Sequence, residues 1–539
     1  AVKGEDRDVK YPFHINEYAH SMGNAIGNLV DYWDAMESTN HFMGGAIWDW
    51  IDQSLYNYDS KTGERNLAFG GDFGDFPTDG QFVMNGVLFG DMTPKPQYYE
   101  VKKVYQNVRV APVDMNKGEI SIFNKNYFIP LQGYDLTWRL LKDGVEVESG
   151  TLAVEPVAPR TEAKVSLPID SSKIEDGSEY FVNVEFSLSE NKPWADKGYV
   201  QMAEQLPVKL LPVQENLEVA LPDKMKDADQ EMEVIAGDDY TIVFNLAKGT
   251  LDRLVYDGKD MIVPGNGPEP YAFRAYLNND PWVSDEWFEN GLYNLKHKVV
   301  SRKIGKDKDG NKVLSFVIES QAPCGGKMVG GNGNACGTYS IDESGSKPFA
   351  DDDFKLTTVQ TWTVFPDGKI ELDAEFDSNK PELVLPRLGY VMEVPAELDD
   401  FTYYGRGPEE NYNDRKTGQF VGRYTSKVKD VVTPYTRPQS NGNREEVRWA
   451  SLSSDGAGVR FDAPALMSVT AIPYTEIELF NTDHHYKLPE SKRTVLHLDY
   501  GVTGLGGASC GQGGPLEPDR IKADHNRFKV VISPVKSLR

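Results

Sequence analysis

Three cysteines in 539 residues are too few for a disulfide framework. Cys324 and Cys336 flank a glycine-rich loop, CGGKMVGGNGNAC, and would pair in an oxidising compartment or stay reduced elsewhere. Their spacing is not that of a zinc site, and no histidine pair lies nearby. No stretch approaches the ~20 consecutive apolar residues of a membrane helix, so a soluble protein without a membrane partner is expected, cytoplasmic or periplasmic. Positive charge is scarce as well: 57 Lys and Arg against 83 Asp and Glu leave a formal charge of −26. The acidic residues are spread along the whole chain, which argues against nucleic acid as a partner, because phosphate backbones attract basic patches. The first residues, AVKGEDRDVKYPF, read neither as a signal peptide nor as a cap and run straight into a strand, as though something upstream were missing.

A chain of this length exceeds what one hydrophobic core serves and should form about three or four domains. The first hundred or so residues alternate strand and helix. YPFHI reads as a strand; AIGNLVDYWDAM places Ile26, Leu29, Val30, Trp33 and Met36 on one helical face. GGAIWDWID reads as a second strand containing Trp48 and Trp50, and PQYYEVKKVYQN as a second helix opened by Pro96. Strand then helix, twice, predicts parallel strands, yet two such units neither close a barrel nor cover both faces of a sheet.

From about residue 109 the pattern changes to short strands with turn signals: EISIFNKN, YDLTWRLL, a Lys142-Asp143-Gly144 turn, VEVESGTLAV and YFVNVEFSLS. These predict a β-sandwich of about one hundred residues ending near Pro212. The acidic stretch PVQENLEVALPDKMKDADQEM marks the next boundary. From about 217 onward the chain reads as β without helical crossovers, with YTIVFN, GTLDRLVYDGKDMI, TVQTWTVFPDGKIELDAEF and RTVLHLDYGV as strands.

Chemistry concentrates in the first segment. Glu17 closes the first strand, His20 follows three residues later, and the tryptophans and a Gly- and Asp-rich loop, GGDFGDFPTDGQFVMNG, come next. Loops at the C-terminal ends of parallel strands carry the active sites of α/β barrels. A carboxylate, a histidine, indole rings and polar loop groups suit a sugar, whose ring has an apolar face and a rim of hydroxyls. A plainer reading makes Glu17 a helix cap and the tryptophans core. Asp72, Asp75 and Asp79 read as turn residues as readily as cation ligands, and His484-His485 reads as solvated loop surface.

Taken in order, these blocks closely resemble the long bacterial β-galactosidases of glycoside hydrolase family 2. EYAHSMGN (17–24), GGAIWDWIDQSL (44–55) and GGDFGDFPTDGQFVMNGVLFGD (70–91) resemble the nucleophile motif and the two blocks after it. YYGRGPEENYNDRKTG (403–418), TPYTRPQSNGNREEVRW (433–449) and LDYGVTGLGG (498–507) resemble the family's C-terminal domain.

The resemblance implies a mainly β chain with an α/β remnant. Residues 1–108 would be the last part of a (β/α)8 barrel, 109–213 an immunoglobulin-like β-sandwich, and 214–539 a galactose-mutarotase-like supersandwich, the family's small-chain domain. It implies retaining hydrolysis of terminal β-galactosides by two carboxylates about 5–5.5 Å apart, with Glu17 as nucleophile. His20 matches a histidine that binds galactose hydroxyls, and Trp48 the tryptophan beneath the sugar's apolar face. Asn85 and the carbonyl of Phe82 match ligands of a sodium ion that contacts the 6-hydroxyl, with Asp79 a loop residue near it.

Two departures stand out. The acid/base glutamate, and the magnesium ligands beside it, belong to an earlier barrel strand that this sequence does not contain; Asp49, Asp52 or Asp75 would be poor stand-ins. After GLGG the sequence reads ASCGQGGPLEPDR, so Cys510 stands near the place where such enzymes usually carry a stacking tryptophan, which puts lactose as substrate in question. The chain is therefore expected to supply the nucleophile, to need an N-terminal half as partner, and to be inactive alone. Related enzymes are often dimers or tetramers. The other expectations are a non-catalytic carbohydrate-binding or scaffolding fragment, or activity on a β-glucuronide or β-mannoside.

Overall fold

In a computed structural model of the chain, residues 11–212, 222, 224–330, 339–507 and 513–535 are described. Cys336, Cys510 and residues 213–221 and 223 of the acidic boundary stretch fall outside them.

The chain opens with strand β1 (Phe13–Tyr18), helix α1 (Leu29–Glu37) and strand β2 (Phe42–Ile47), with β1 and β2 parallel. A hairpin of β3 (Leu55–Tyr58) and β4 (Arg65–Ala68) leads, through a long loop, to helix α2 (Pro96–Val104). The 49–52 stretch pairs in parallel with 86–88, through Val87 N–H to the Asp49 carbonyl and Asp52 N–H to the Leu88 carbonyl, so a third extended segment lies alongside. The approach is close enough that a Cβ on Gly86 would collide with the backbone of Ile51 and Asp52. This is the α/β remnant that the strand–helix alternation predicts.

Two boundaries differ from the sequence reading. β2 stops at Ile47, so Trp48 and Trp50 stand beyond the strand rather than in it. α1 starts at Leu29, because the left-handed Asn28 (φ 53°) ends a non-helical run before it. Among the described residues β1 pairs only with β2, and the pair leaves Tyr11, Phe13, Met43 and Trp50 exposed.

The sandwich packs a sheet of β5 (Val108–Asp114), β6 (Glu119–Asn124) and β9 (Glu162–Ser166) on one of β7 (Tyr134–Lys142), β8 (Val145–Ala153), β10 (Tyr180–Leu188) and β11 (Val200–Lys209). Alternate residues bury: Ile120 and Ile122, Leu136, Trp138 and Leu140, Val182, Val184 and Phe186 form one core. The β7–β8 turn puts Asp143 (φ 47°) and Gly144 (φ 78°) in the left-handed region, as a tight two-residue hairpin requires.

The C-terminal region is built on a thirteen-stranded antiparallel sheet with further small sheets packed on it around the largest apolar core. Expected as strand throughout, it also carries short helices, among them Glu476–Asn481. That helix starts where Thr475 and Glu478 form a capping box, which satisfies two backbone N–H groups that would otherwise lack acceptors. No helix among the described residues is long and apolar enough to cross a membrane.

Candidate active site

The parallel pairing of β1 with β2 puts Tyr18 opposite Ile47, so Glu17 and Trp48 lie at the same strand end. Trp48 N–H donates to the Tyr18 carbonyl at 3.2 Å, and Ser21 N–H to the Trp48 carbonyl at 2.8 Å. These bonds stitch the two loops together just beyond the strands. From behind, the Tyr18 hydroxyl bonds the Tyr105 hydroxyl at 2.6 Å and accepts the indole N–H of Trp33 at 2.8 Å, bracing β1 against both helices. Burial and the Tyr105 hydroxyl hold the Tyr18 phenol above its ordinary range, so it is neutral.

Glu17 is 57% exposed, sits at positive φ (54°), and lies 3.8 Å from Nε2 of the buried His20. Such backbone strain is common where a side chain must be aimed. It does not cap α1, whose N-cap position is Asn28, and neither tryptophan is core: Trp48 is half-buried and Trp50 exposed. Burial lowers the His20 pKa, partly offset by the Glu17 charge. The rings of His20 and Trp48 are 6.5 Å apart between centroids.

Asn85 joins the same end through Asp49 N–H, which donates to its carbonyl. Its side-chain N–H donates to the Phe82 carbonyl at 3.1 Å, while its buried Oδ1 has no hydrogen-bond partner among the described residues. Asp79 is exposed at the start of that short turn. The structure thus brings Glu17, His20, Trp48, Phe82 and Asn85 to one strand end; Cys510 is outside the described residues. The acids weighed as substitutes are engaged elsewhere. Asp52 is buried against Lys95 at 2.7 Å, Asp49 accepts from Gln53 at 2.9 Å, and Asp75 accepts Gly71 N–H.

What the sequence did not show is why the HSMGN run follows Glu17. Residues 18–29 are buried, clamped by the C-terminal region. Asn24 donates to the Tyr412 hydroxyl and the Ser440 carbonyl, each at 2.9 Å, and accepts from the Tyr435 hydroxyl at 3.1 Å. Its N–H donates to the Gln439 side chain at 3.0 Å. Gly27 N–H reaches the Gly506 carbonyl at 2.9 Å, and Arg415 donates to the Ala25 carbonyl at 3.2 Å. All three C-terminal blocks quoted above therefore meet on this one segment. A second tie runs from the Gly- and Asp-rich loop. His484, expected at the solvated surface, is 1% exposed, bonds Asp72 at 2.9 Å and stacks on Phe69 at 4.5 Å. Asp72 and Asp75 also take backbone N–H groups, of Phe69 and Gly71, as turn residues do.

Family models match in chain order: the glycosyl hydrolases family 2 TIM barrel domain over residues 2–110, β-galactosidase domain 4 over 120–209, and the β-galactosidase small chain over 236–532. The β-galactosidase of Priestia megaterium is 32% identical over 508 residues, 92% of this chain and 45% of its own length. That of Lactobacillus delbrueckii subsp. bulgaricus is 32% identical over 535 residues, 97% of this chain and 48% of its own. The chain spans about half the length of the curated relatives it matches. Among solved structures, galactose 1-epimerase from Lactobacillus acidophilus aligns with 58% of this chain and 98% of its own at 10% identity and a TM-score of 0.30.

Proposed function

The chain belongs to glycoside hydrolase family 2, as a C-terminal portion of the long bacterial β-galactosidase type, and on that basis we propose that it carries the nucleophile of a retaining β-galactosidase. The observation that carries the reading is the position of Glu17 at a parallel strand end, exposed toward solvent and 3.8 Å from buried His20, with Trp48 beside it. In this reading the Glu17 carboxylate attacks the anomeric carbon as the aglycone oxygen leaves, giving a galactosyl ester, and water then reverses the step. His20 binds sugar hydroxyls and Trp48 lies under the apolar face of the ring.

A retaining site needs a second carboxylate as acid and then base. With Asp49, Asp52 and Asp75 committed to local bonds, that group comes from an N-terminal half carrying the rest of the barrel. Support for such a partner lies in the exposed Tyr11, Phe13, Met43 and Trp50, apolar side chains that a further barrel portion would cover. The isolated chain is then inactive.

A sodium ion fits the loop. Asn85 Oδ1 is a buried oxygen lacking a partner among the described residues, and the Phe82 carbonyl is adjacent, so the donor set is neutral oxygen, suited to a hard monovalent cation. When bound, the ion supplies positive charge to a substrate hydroxyl. The magnesium of a complete enzyme would be held by the N-terminal half.

The test is to reconstitute the chain with an upstream half and treat it with a 2-deoxy-2-fluoro-β-galactoside. A mass increment on the peptide containing Glu17 is expected. Labelling on another residue, or by the matched glucuronide or mannoside alone, rejects the proposal.

A further inference from the structure

Away from Glu17, the C-terminal sheet holds a cavity of about 390 Å³ lined by Glu269, Tyr271, Glu393, Glu476 and His497. Its floor follows from strand periodicity. Along Arg493–Val502, Leu496 and Leu498 point into the main apolar core, so Val495, His497 and Asp499 share the other face. The neighbouring strand sets Val391 against His497 and Glu393 against Val495, and Glu269 pairs with Val391 in turn.

The polar groups on this face are unequally satisfied. Glu393 is paired with Arg493 at 2.7 Å, and Glu476 with Arg387 at 2.7 Å. His497 is different. It is 1% exposed, its ring lies 5.1 Å from that of Tyr271, and its Nδ1 has no hydrogen-bond partner among the described residues. Burial, with the nearby Arg387 charge, lowers its pKa, so it is a neutral imidazole with one donor and one acceptor. A buried polar atom left unbonded costs about 1–3 kcal/mol unless something else satisfies it.

The lining decides what that something is. Carboxylates around the cavity repel an anion. No group of three or more His, Cys, Asp or Glu is placed to hold a metal ion among the described residues. What remains is a neutral molecule offering hydroxyl donors to carboxylates, accepting from Tyr271 and His497, and presenting a small apolar face to the tyrosine ring and to Val391. A volume near 390 Å³ lies at the small end of ligand pockets. We propose that this cavity is a second carbohydrate site, taking one neutral monosaccharide against Tyr271 and His497, separate from the strand end that carries Glu17.

Saturation-transfer NMR on the full chain, with galactose and glucose as probes, tests this. Transfer to at least one sugar is expected from the parent chain and should persist in Trp48→Ala, which removes the contribution of the Glu17 end and serves as the background for the next two variants. Tyr271→Phe, which removes a single oxygen, and His497→Gln should each weaken binding at least fivefold, with far-UV spectra and melting temperature checked in parallel. If His497→Gln fails to fold, Tyr271→Phe alone decides. Absence of transfer to either sugar overturns the proposal. So does transfer lost in Trp48→Ala but kept in Tyr271→Phe, and so does equal binding of a sugar phosphate.

Discussion

Nε2 of His484 lies 2.9 Å from Oδ2 of Asp72, and this bond ties the loop beside the candidate site to the C-terminal region. His484 loses solvent on burial, which disfavours its charge, but Asp483 and Asp72 outweigh that and raise its pKa. A histidine raised in the folded state stabilises fully below its unfolded value of about 6.5, and loses that contribution as pH climbs through the folded value. The melting temperature should therefore fall as pH rises above about 6.5. His484→Asn should flatten that part of the profile, as differential scanning calorimetry across pH would show.

Glu445 titrates in a different window. It is 4% exposed, accepts from Asn443 at 2.6 Å and Ser468 at 2.8 Å, and burial pushes it up to about 7. Raised above an unfolded value of about 4.3, it stabilises below that value and loses on the order of 3 kcal/mol as pH rises to 7. Glu445→Gln keeps the shape without the charge, so it should be the more stable protein at pH 8 and nearly equal at pH 4.5. Urea unfolding at the two pH values measures this; a variant less stable at pH 8 contradicts it.

Gly27 has no room for a methyl group, because a Cβ there would run into the Asp414 carboxylate. That carboxylate is itself fixed by Leu505 N–H at 2.9 Å and Gly506 N–H at 2.8 Å. Gly27→Ala should therefore cost about 2–4 kcal/mol through strain and lost buried hydrogen bonds. The expected signs are a lower melting temperature and faster proteolytic cleavage between residues 18 and 29. Unchanged protection would mean the clamp yields easily.

Asn85→Ala removes the buried oxygen proposed above as a sodium ligand. In the reconstituted enzyme KM for a galactoside should rise about tenfold, a loss near 1.4 kcal/mol, with kcat less affected. The difference between sodium and potassium buffers should disappear. Steady-state kinetics in the two salts is the check.

How much of this was legible in sequence depends on the range of the contacts. β6, β7 and β10 could be read directly, because alternating burial writes a period of two into Ile120 and Ile122, or Leu136, Trp138 and Leu140. The clustering of Glu17, His20 and Trp48 was legible from the blocks they occupy. The start of α1 was not, because Ile26 fits the helical stripe yet is buried ahead of the helix, in the clamp. Nor was His484: two adjacent histidines in a loop look solvated, and the partner that buries one lies 412 residues away. Asn24 has no local signal at all, since the side chains it bonds are more than 380 residues distant.

That separation sets a schedule for synthesis. Asn24 leaves the ribosome well before the residues that hold it: Tyr412, Tyr435 and Ser440 follow it by 388, 411 and 416 residues. At about 5–20 residues per second the delay is roughly 20 to 80 s. During that interval the segment after Glu17 waits without the surface that shapes it. The geometry at this strand end is thus completed by Tyr412, Tyr435 and Ser440, and a ribosome stalled before residue 400 would release a product with the Glu17 carboxylate in place and nothing to aim it.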